Sequence, residues 1–148
     1  MDKLHILQHS DLFENLLPEE LSMLADLSIE KRFAGNEVVF REGEAGDSLY
    51  IIAKGEVDVV GAGQGGEMKT LARLTTNQFF GEMSLIDKEL RSATVRAHSD
   101  AVLLQLTNGN LYSFAKVYKN GFTLLVINIA RTLSARLRET NRRLAERL

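Results

Sequence analysis

The segment from Phe80 to Val95 combines residue types that can bind a small anion carrying a sugar. Arg91 can grip a phosphate through two parallel hydrogen bonds, and the adjacent Ser92 can add a hydroxyl donor. Gly81 allows backbone to approach a ligand closely, and a short turn from Glu82 to Ile86 would direct backbone N–H groups at the same phosphate. The Glu82 carboxylate only accepts hydrogen bonds, as a ribose hydroxyl requires, although it could also pair with Arg91 in the absence of ligand.

The same segment resembles the phosphate-binding cassette of cyclic nucleotide-binding domains. The resemblance rests on the run Phe80-Gly81-Glu82-Met83-Ser84-Leu85 followed, at the family's separation, by Arg91-Ser92-Ala93-Thr94-Val95. A second stretch, from Gly43 to Val57, resembles the strand–turn–strand signature of the family. The resemblance implies that the cassette binds a cyclic phosphate and a ribose through Gly81, Glu82, Met83, Ser84, Arg91, Ser92 and Ala93.

One residue of the cassette departs from the family pattern. Leu90 stands where the family commonly has proline before the arginine. Because proline fixes φ, its replacement would loosen the empty cassette and weaken binding somewhat, without removing a contact to the ligand.

The resemblance also implies a wall for the base. Val59 and Leu71 occupy positions whose side chains face the purine inside the roll, although ordinary core packing would explain either residue equally well. Arg136 falls where the last helix approaches the ligand, and Thr140 and Asn141 fall where that helix touches adenine, one of them partly across a dimer seam. The resemblance is closest to cyclic AMP-binding members, so we expect cyclic AMP in preference to cyclic GMP.

The elements that must position these residues are mainly strands. From Ile29 the apolar pattern has a period of two, and many short strands separated by Gly, Asn and Asp favour a barrel or sandwich. The predicted strands are Ile29–Phe33, Glu37–Arg41, Ser48–Ala53, Glu56–Val60, Met68–Leu74, Thr94–His98 and Ala101–Thr107. Helical patterns cover Leu4 to Leu17 in one or two pieces, Pro18 to about Leu27, Asn108–Tyr118 and Asn120–Leu148.

With the resemblance, these elements predict one mainly β domain with flanking helices. The expected fold is a double-stranded β-helix, a jelly-roll-like β-roll, with N-terminal helices in 1–27 and the roll in 28–107. The cassette helix is inserted within 80–95, and a long helix closes the C-terminal helical region, 108–148.

The last helix carries an apolar seam and an arginine-rich face. The seam advances in alternating steps of four and three residues, which is typical of a coiled coil or of a helix packed along the roll. We expect it to form a homodimer. The arginines can be a solvated face or a nucleic-acid footprint. The net charge of −2 and the lack of a recognition-helix context disfavour direct nucleic-acid binding.

Composition disfavours catalysis. The chain has no cysteine and only three histidines, two of them in the N-terminal helical region, so neither a thiolate nucleophile nor a metal cluster is expected. We predict no enzyme activity, no metal and no membrane span, and a cytoplasmic location. The expected function is a sensor or regulatory domain acting on an unknown downstream protein, and as a stand-alone domain it would lack a helix-turn-helix. The alternatives are an effector-domain fragment of a transcription regulator and a ligand-free dimerisation scaffold with a degenerate cassette.

Overall fold

The computed structural model describes residues 1–62 and 64–148, and of Gln64 the backbone alone. Gly63, which belongs to the predicted roll, lies outside the described residues. The N-terminal region contains α1 (Lys3–Gln8), a 3₁₀ turn (Asp11–Phe13) and α2 (Pro18–Leu27). The roll contains β1 (Ile29–Phe33), β2 (Val38–Phe40), β3 (Ser48–Lys54), β4 (Val57–Ala62), β5 (Met68–Leu74), β6 (Phe79–Phe80), α3 (Met83–Ile86), β7 (Thr94–Ala97) and β8 (Ala101–Thr107). The chain closes with α4 (Asn108–Val117) and α5 (Lys119–Arg147).

Two antiparallel four-stranded sheets form the roll. One sheet has the order β1-β8-β3-β6 and the other the order β2-β7-β4-β5. The predicted mainly β fold with flanking helices is therefore confirmed. The bounds of β1, β5 and β8 match the prediction, β2 is shorter, and β6 was not predicted. Two residues are too few to show a period of two, which explains why the sequence gives no signal for β6.

Apolar side chains form two cores on opposite faces of β3. Leu49 and Ile51 belong to the cluster between this sheet and the helices, whereas Tyr50 and Ile52 belong to the cluster inside the roll. Side chains alternate between the two faces of a strand, so a run of consecutive buried residues is what a strand covered on both sides requires. The central strand thus fixes the helices on one side and the roll interior on the other.

Only the first part of α5 is packed against the rest of the domain. Leu125, Asn128 and Ile129 are buried there, and the Asn128 Nδ2 donates to the carbonyls of Leu12 (3.0 Å) and Glu14 (2.9 Å). Further along the helix Leu137 is 61% exposed. The helix therefore starts as part of the core and ends as a projecting rod whose apolar stripe is uncovered in the described chain.

Candidate functional site

A cavity of about 480 Å³ opens between the cassette, the roll and α5. Its apolar wall includes Phe40, Val59, Ala72 and Phe80, and its polar floor is the cassette from Gly81 to Ala93. Ligand sites in proteins are typically apolar clefts of roughly 300–1,000 Å³ with a few convergent polar groups. The cavity has this size and this distribution of polar groups.

Arg91 is the buried cation of the cavity. Its side chain is inside the fold, the whole residue being 9% exposed, and its Nη1 and Nη2 donate to the carbonyls of Gly81 (3.0 Å) and Ser48 (2.8 Å). The Cζ atom lies 3.9 Å from the centroid of the Phe40 ring. The Nε atom is buried and, among the described residues, has no hydrogen-bond partner. Three of the five guanidinium N–H donors thus remain after the two carbonyl contacts.

The charge of Arg91 is not matched by a carboxylate. None of the ion pairs within residues 1–62 and 64–148 involves this guanidinium. Burial lowers its pKa below the ordinary arginine value, while the nearby Tyr50, Asp47, Glu44 and Glu82 oppose that effect. A buried cation without an anionic partner is costly, so the site favours an anion that enters from the cavity.

Glu82, also on the cassette floor, is bound by the C-terminal helix. The residue is 4% exposed, and its Oε1 accepts a hydrogen bond from the Arg136 Nη1 at 3.3 Å. The Arg136 Nη2 donates to the carbonyl of Phe79 at 3.0 Å. Burial raises the pKa of Glu82 above its ordinary value. A hydrogen bond from its own backbone N–H and the positive charges of Arg136 and Arg91 oppose this rise. The alternative that Glu82 pairs with Arg91 without ligand is not what the structure shows, because Arg136 from α5 bonds this carboxylate instead.

The cassette is fastened to the turn between β2 and β3. The backbone N–H of Arg91 donates to the Glu44 carbonyl at 2.8 Å, and the N–H of Gly43 donates to the Arg91 carbonyl at 2.9 Å. The Ser84 Oγ donates to the Gly81 carbonyl at 3.1 Å. These bonds hold the arginine without proline at position 90, so Leu90 does not prevent the cassette from forming.

Gly81 is required at its position for two reasons. Its φ of 80° lies in the left-handed region, which is unfavourable for residues with a Cβ. A Cβ built there would also lie 2.9 Å from the Arg91 Nη1 and 3.2 Å from the Ser48 carbonyl oxygen. The glycine thus brings its own carbonyl into contact with the arginine.

Most of the predicted site residues lie together around the cavity. Its lining includes Val59, Gly81, Glu82, Met83, Ser84, Arg91, Ser92, Ala93 and Arg136. The contacts given above also link these side chains: Arg136 bonds Glu82 and the Phe79 carbonyl, and Arg91 bonds the carbonyl of Gly81, the neighbour of Glu82.

The prediction that Leu71 faces into the roll is wrong. Leu71 is 60% exposed, whereas its neighbour Ala72 lines the cavity. The register between β4 and β5 shifts between Val59 and Val60, so that Val59 pairs with Ala72 and Val60 pairs with Thr70. Leu71 is the unpaired residue of this bulge, next to Ala72, which pairs with Val59. Because neighbouring side chains of a strand point to opposite faces, Leu71 faces away when Ala72 faces the cavity.

The structure does not bring Thr140 and Asn141 to the cavity. Both are exposed on the projecting part of α5, and the Thr140 hydroxyl donates to the Arg136 carbonyl at 2.9 Å. Neither residue is among those lining the cavity. Their expected contact with the base stays a prediction, and it requires a different placement of the helix or a second chain.

Three residues that contact the cassette lie outside it, and the sequence did not predict them as site residues. Ser48 supplies a carbonyl to Arg91, and Phe40 supplies a ring beneath it. Gly46 passes so close that a Cβ built on it would lie 2.7 Å from the Ser84 Cβ and 3.1 Å from the Arg91 Cζ. The first two contacts come from strands that are distant from the cassette in sequence, and such contacts depend on strand pairing.

Other features of the described chain offer less for binding. A groove of about 420 Å³ beside α5 contains both carboxylates and arginines, which can balance one another. Among residues 1–62 and 64–148, no group of three or more His, Asp or Glu side chains is placed to hold a metal ion. Within the same residues, no helix has the length and apolar character needed to cross a membrane.

The fold and the cavity define an antiparallel β-roll that presents a buried arginine to an incoming anion. The family model of the cyclic nucleotide-binding domain matches residues 30–118. The chain therefore belongs to the cyclic nucleotide-binding domain family.

Known relatives and structures agree with this membership. A cyclic AMP receptor protein from Thermus thermophilus is 33% identical over 132 residues, which are 89% of this chain and 59% of that protein. A cAMP-dependent protein kinase regulatory subunit from Blastocladiella emersonii is 32% identical over 120 residues, 81% of this chain and 27% of that protein. The crystal structure of a cyclic nucleotide-binding domain from Methylobacillus flagellatus superposes with a TM-score of 0.86 at 27% identity, covering 98% of this chain and 82% of that chain. The chain thus spans less than two thirds of the length of these two relatives.

Proposed function

We propose that this domain is a regulatory sensor that binds cyclic AMP in the cassette cavity and releases it unchanged. The observation that carries the proposal is Arg91, a buried guanidinium at the floor of an apolar cavity whose Nε has no hydrogen-bond partner within residues 1–62 and 64–148. Carboxylates and phosphates are the groups that arginine binds with paired N–H donors. A singly charged cyclic phosphate would supply the missing anion.

Other residues of the cavity contact the remaining parts of the ligand in this proposal. In this proposal Ser92, exposed beside Arg91, donates its hydroxyl to the phosphate, and Ala93 leaves room for it. Glu82 accepts a hydrogen bond from the ribose hydroxyl, and Val59 packs against the purine. Ala72 takes the place that the sequence had suggested for Leu71.

The preference for cyclic AMP rests on the names of the two relatives described above. Both relatives described above are named for cyclic AMP. Adenine offers an exocyclic amino donor, whereas guanine offers a carbonyl acceptor and a different amino group. The side chains of Val59 and Ala72 hydrogen-bond neither base, so this part of the wall does not distinguish the two nucleotides.

We further propose that ligand occupancy changes the placement of α5 and that this helix forms a homodimer. Arg136 of α5 bonds the Glu82 carboxylate, which the ribose hydroxyl would also bond. The ribose and Arg136 therefore either compete for this carboxylate or bond it together. The uncovered stripe on the same helix includes Leu137 and Leu144, which are 61% and 54% exposed. A second α5 would bury this stripe, and Thr140 and Asn141 would then lie at the dimer seam.

Calorimetric titration of the protein with cyclic AMP, cyclic GMP and linear AMP tests the ligand. We expect micromolar or tighter binding of cyclic AMP, weaker binding of cyclic GMP, and much weaker binding of linear AMP. The protein is first refolded from denaturant to remove nucleotide acquired during expression. Absence of heat with all three nucleotides on folded protein would refute the sensor function and favour a scaffold that dimerises without ligand.

A further inference from the structure

We propose that Phe40 is a positioning residue for the phosphate-binding arginine, and that its ring takes the place of a carboxylate counter-ion. The inference rests on the proposed function, because it concerns how Arg91 is presented to the cyclic phosphate. Phe40 ends β2, at the edge of its sheet, and it lines the same cavity as Arg91.

The geometry places an aromatic face directly beneath the guanidinium. The Arg91 Cζ is 3.9 Å from the centroid of the Phe40 ring, well within the distance of about 6 Å for an effective cation–π contact. The ring is itself fixed, since it packs 6.1 Å from Tyr50 and 5.9 Å from Phe80, centroid to centroid. An aromatic cluster inside the roll thus supports one face of the guanidinium while two carbonyls bind its edge.

The ring stabilises the cation without neutralising it. The carboxylates of Glu44 and Asp47 belong to the adjacent turn and attract the arginine electrostatically, but neither forms an ion pair with it. A carboxylate contact would occupy the donors that a phosphate needs. The quadrupole of an aromatic ring attracts the cation from its face and leaves the N–H edge open.

Loss of the ring should therefore release Arg91 toward the nearby carboxylates. Its donors would then be partly satisfied within the protein, and the phosphate would have to compete for them. We expect Phe40→Leu to raise the Kd for cyclic AMP about 3- to 30-fold, the range of a cation–π contact between exposed and desolvated sites. Leucine keeps most of the apolar contact in the same position.

Phe33→Leu is the matched control. Phe33 is also half-buried and packs against the same apolar cluster, but it lies in β1 and does not line the cavity. Both variants should lose similar thermal stability, and Phe40→Leu alone should lose affinity. Equal affinity of Phe40→Leu and the wild type would overturn the proposal, as would an equal loss in both variants.

Fluorinated phenylalanine at position 40 separates the electrostatic role from packing. Successive fluorine atoms withdraw charge from the ring face with little change in shape, so log Kd should rise stepwise from phenylalanine to trifluorophenylalanine. A flat series would assign Phe40 a packing role only and would refute the counter-ion role.

An NMR signal tests the positioning independently of nucleotide binding. In the ligand-free protein the Arg91 Nε–Hε resonance should be shifted upfield by the ring, and this shift should vanish in Phe40→Leu. If the wild type binds no nucleotide but shows the shift, the sensor function fails and the positioning role stands. An unshifted resonance in the wild type would refute the positioning role.

Discussion

Replacement of Arg91 by lysine should weaken nucleotide binding strongly while the domain stays folded. Arginine has five N–H donors, and two of them are used on the carbonyls of Gly81 and Ser48. The remaining donors include the buried Nε, which can pair with a second N–H on one phosphate. Lysine has three donors on a single nitrogen, so it can give the phosphate one bond at most if it keeps both carbonyl contacts.

The expected loss is that of one charge-assisted hydrogen bond. Such a bond contributes roughly 1.5–3 kcal/mol, which corresponds to a rise in Kd of about 10- to 150-fold. Titration calorimetry with cyclic AMP measures the change, and thermal unfolding of the empty protein verifies that Arg91→Lys remains folded. Affinity within twofold of the wild type would show that Arg91 does not grip the phosphate with paired donors.

Three further changes test the carboxylate, the helix and the turn of the site. Burial raises the pKa of Glu82 in the folded state above its value in the unfolded chain. The free energy of unfolding therefore falls as the pH rises between these two pKa values. Glu82→Gln should remove this pH dependence, measured by urea unfolding between pH 4 and 8, and should weaken cyclic AMP binding. An unchanged pH profile would show that burying the Glu82 charge has no cost. Leu137→Glu should give monomers in sedimentation, and a wild type that is monomeric at high concentration would contradict the dimer. Gly46→Ala should cost about 1–3 kcal/mol of stability and weaken binding, because its methyl group would displace Ser84 or Arg91; binding at wild-type affinity would show that the turn tolerates the group.

The sequence predicted those parts of the fold whose signals are local. The bounds of β1, β5 and β8 were predictable because each segment ends at Gly, Asn or Asp residues typical of turns. The cassette residues Gly81, Glu82 and Arg91 were predictable because one short segment contains them all. In each case the residues that carry the signal are neighbours in the chain.

The parts that were missed depend on how distant segments meet. Ala72 pairs with Val59 and faces the cavity, which turns the neighbouring Leu71 outward. The types of these two apolar residues do not show which of them faces inward. Phe40 and Ser48 contact Arg91 across 51 and 43 positions of the chain. Glu82 is bonded by Arg136, 54 positions away, whereas the sequence offered Arg91 of the same segment as an alternative partner. A motif identifies the group that binds, but strand register and helix placement decide what supports it.

The pair formed by Glu82 and Arg136 limits how a ligand could move the last helix. A ligand shifts an equilibrium between two helix placements only by the ratio of its affinities for them. In the empty domain Arg136 compensates the Glu82 carboxylate, and in the proposed complex a ribose hydroxyl bonds the same group. If the ribose can bond Glu82 only after Arg136 has withdrawn, binding frees the helix; if both bond it together, binding holds the helix in place. A tenfold difference in affinity is about 1.4 kcal/mol, comparable to one charge-assisted bond, so this single contact is large enough to set the direction of the response.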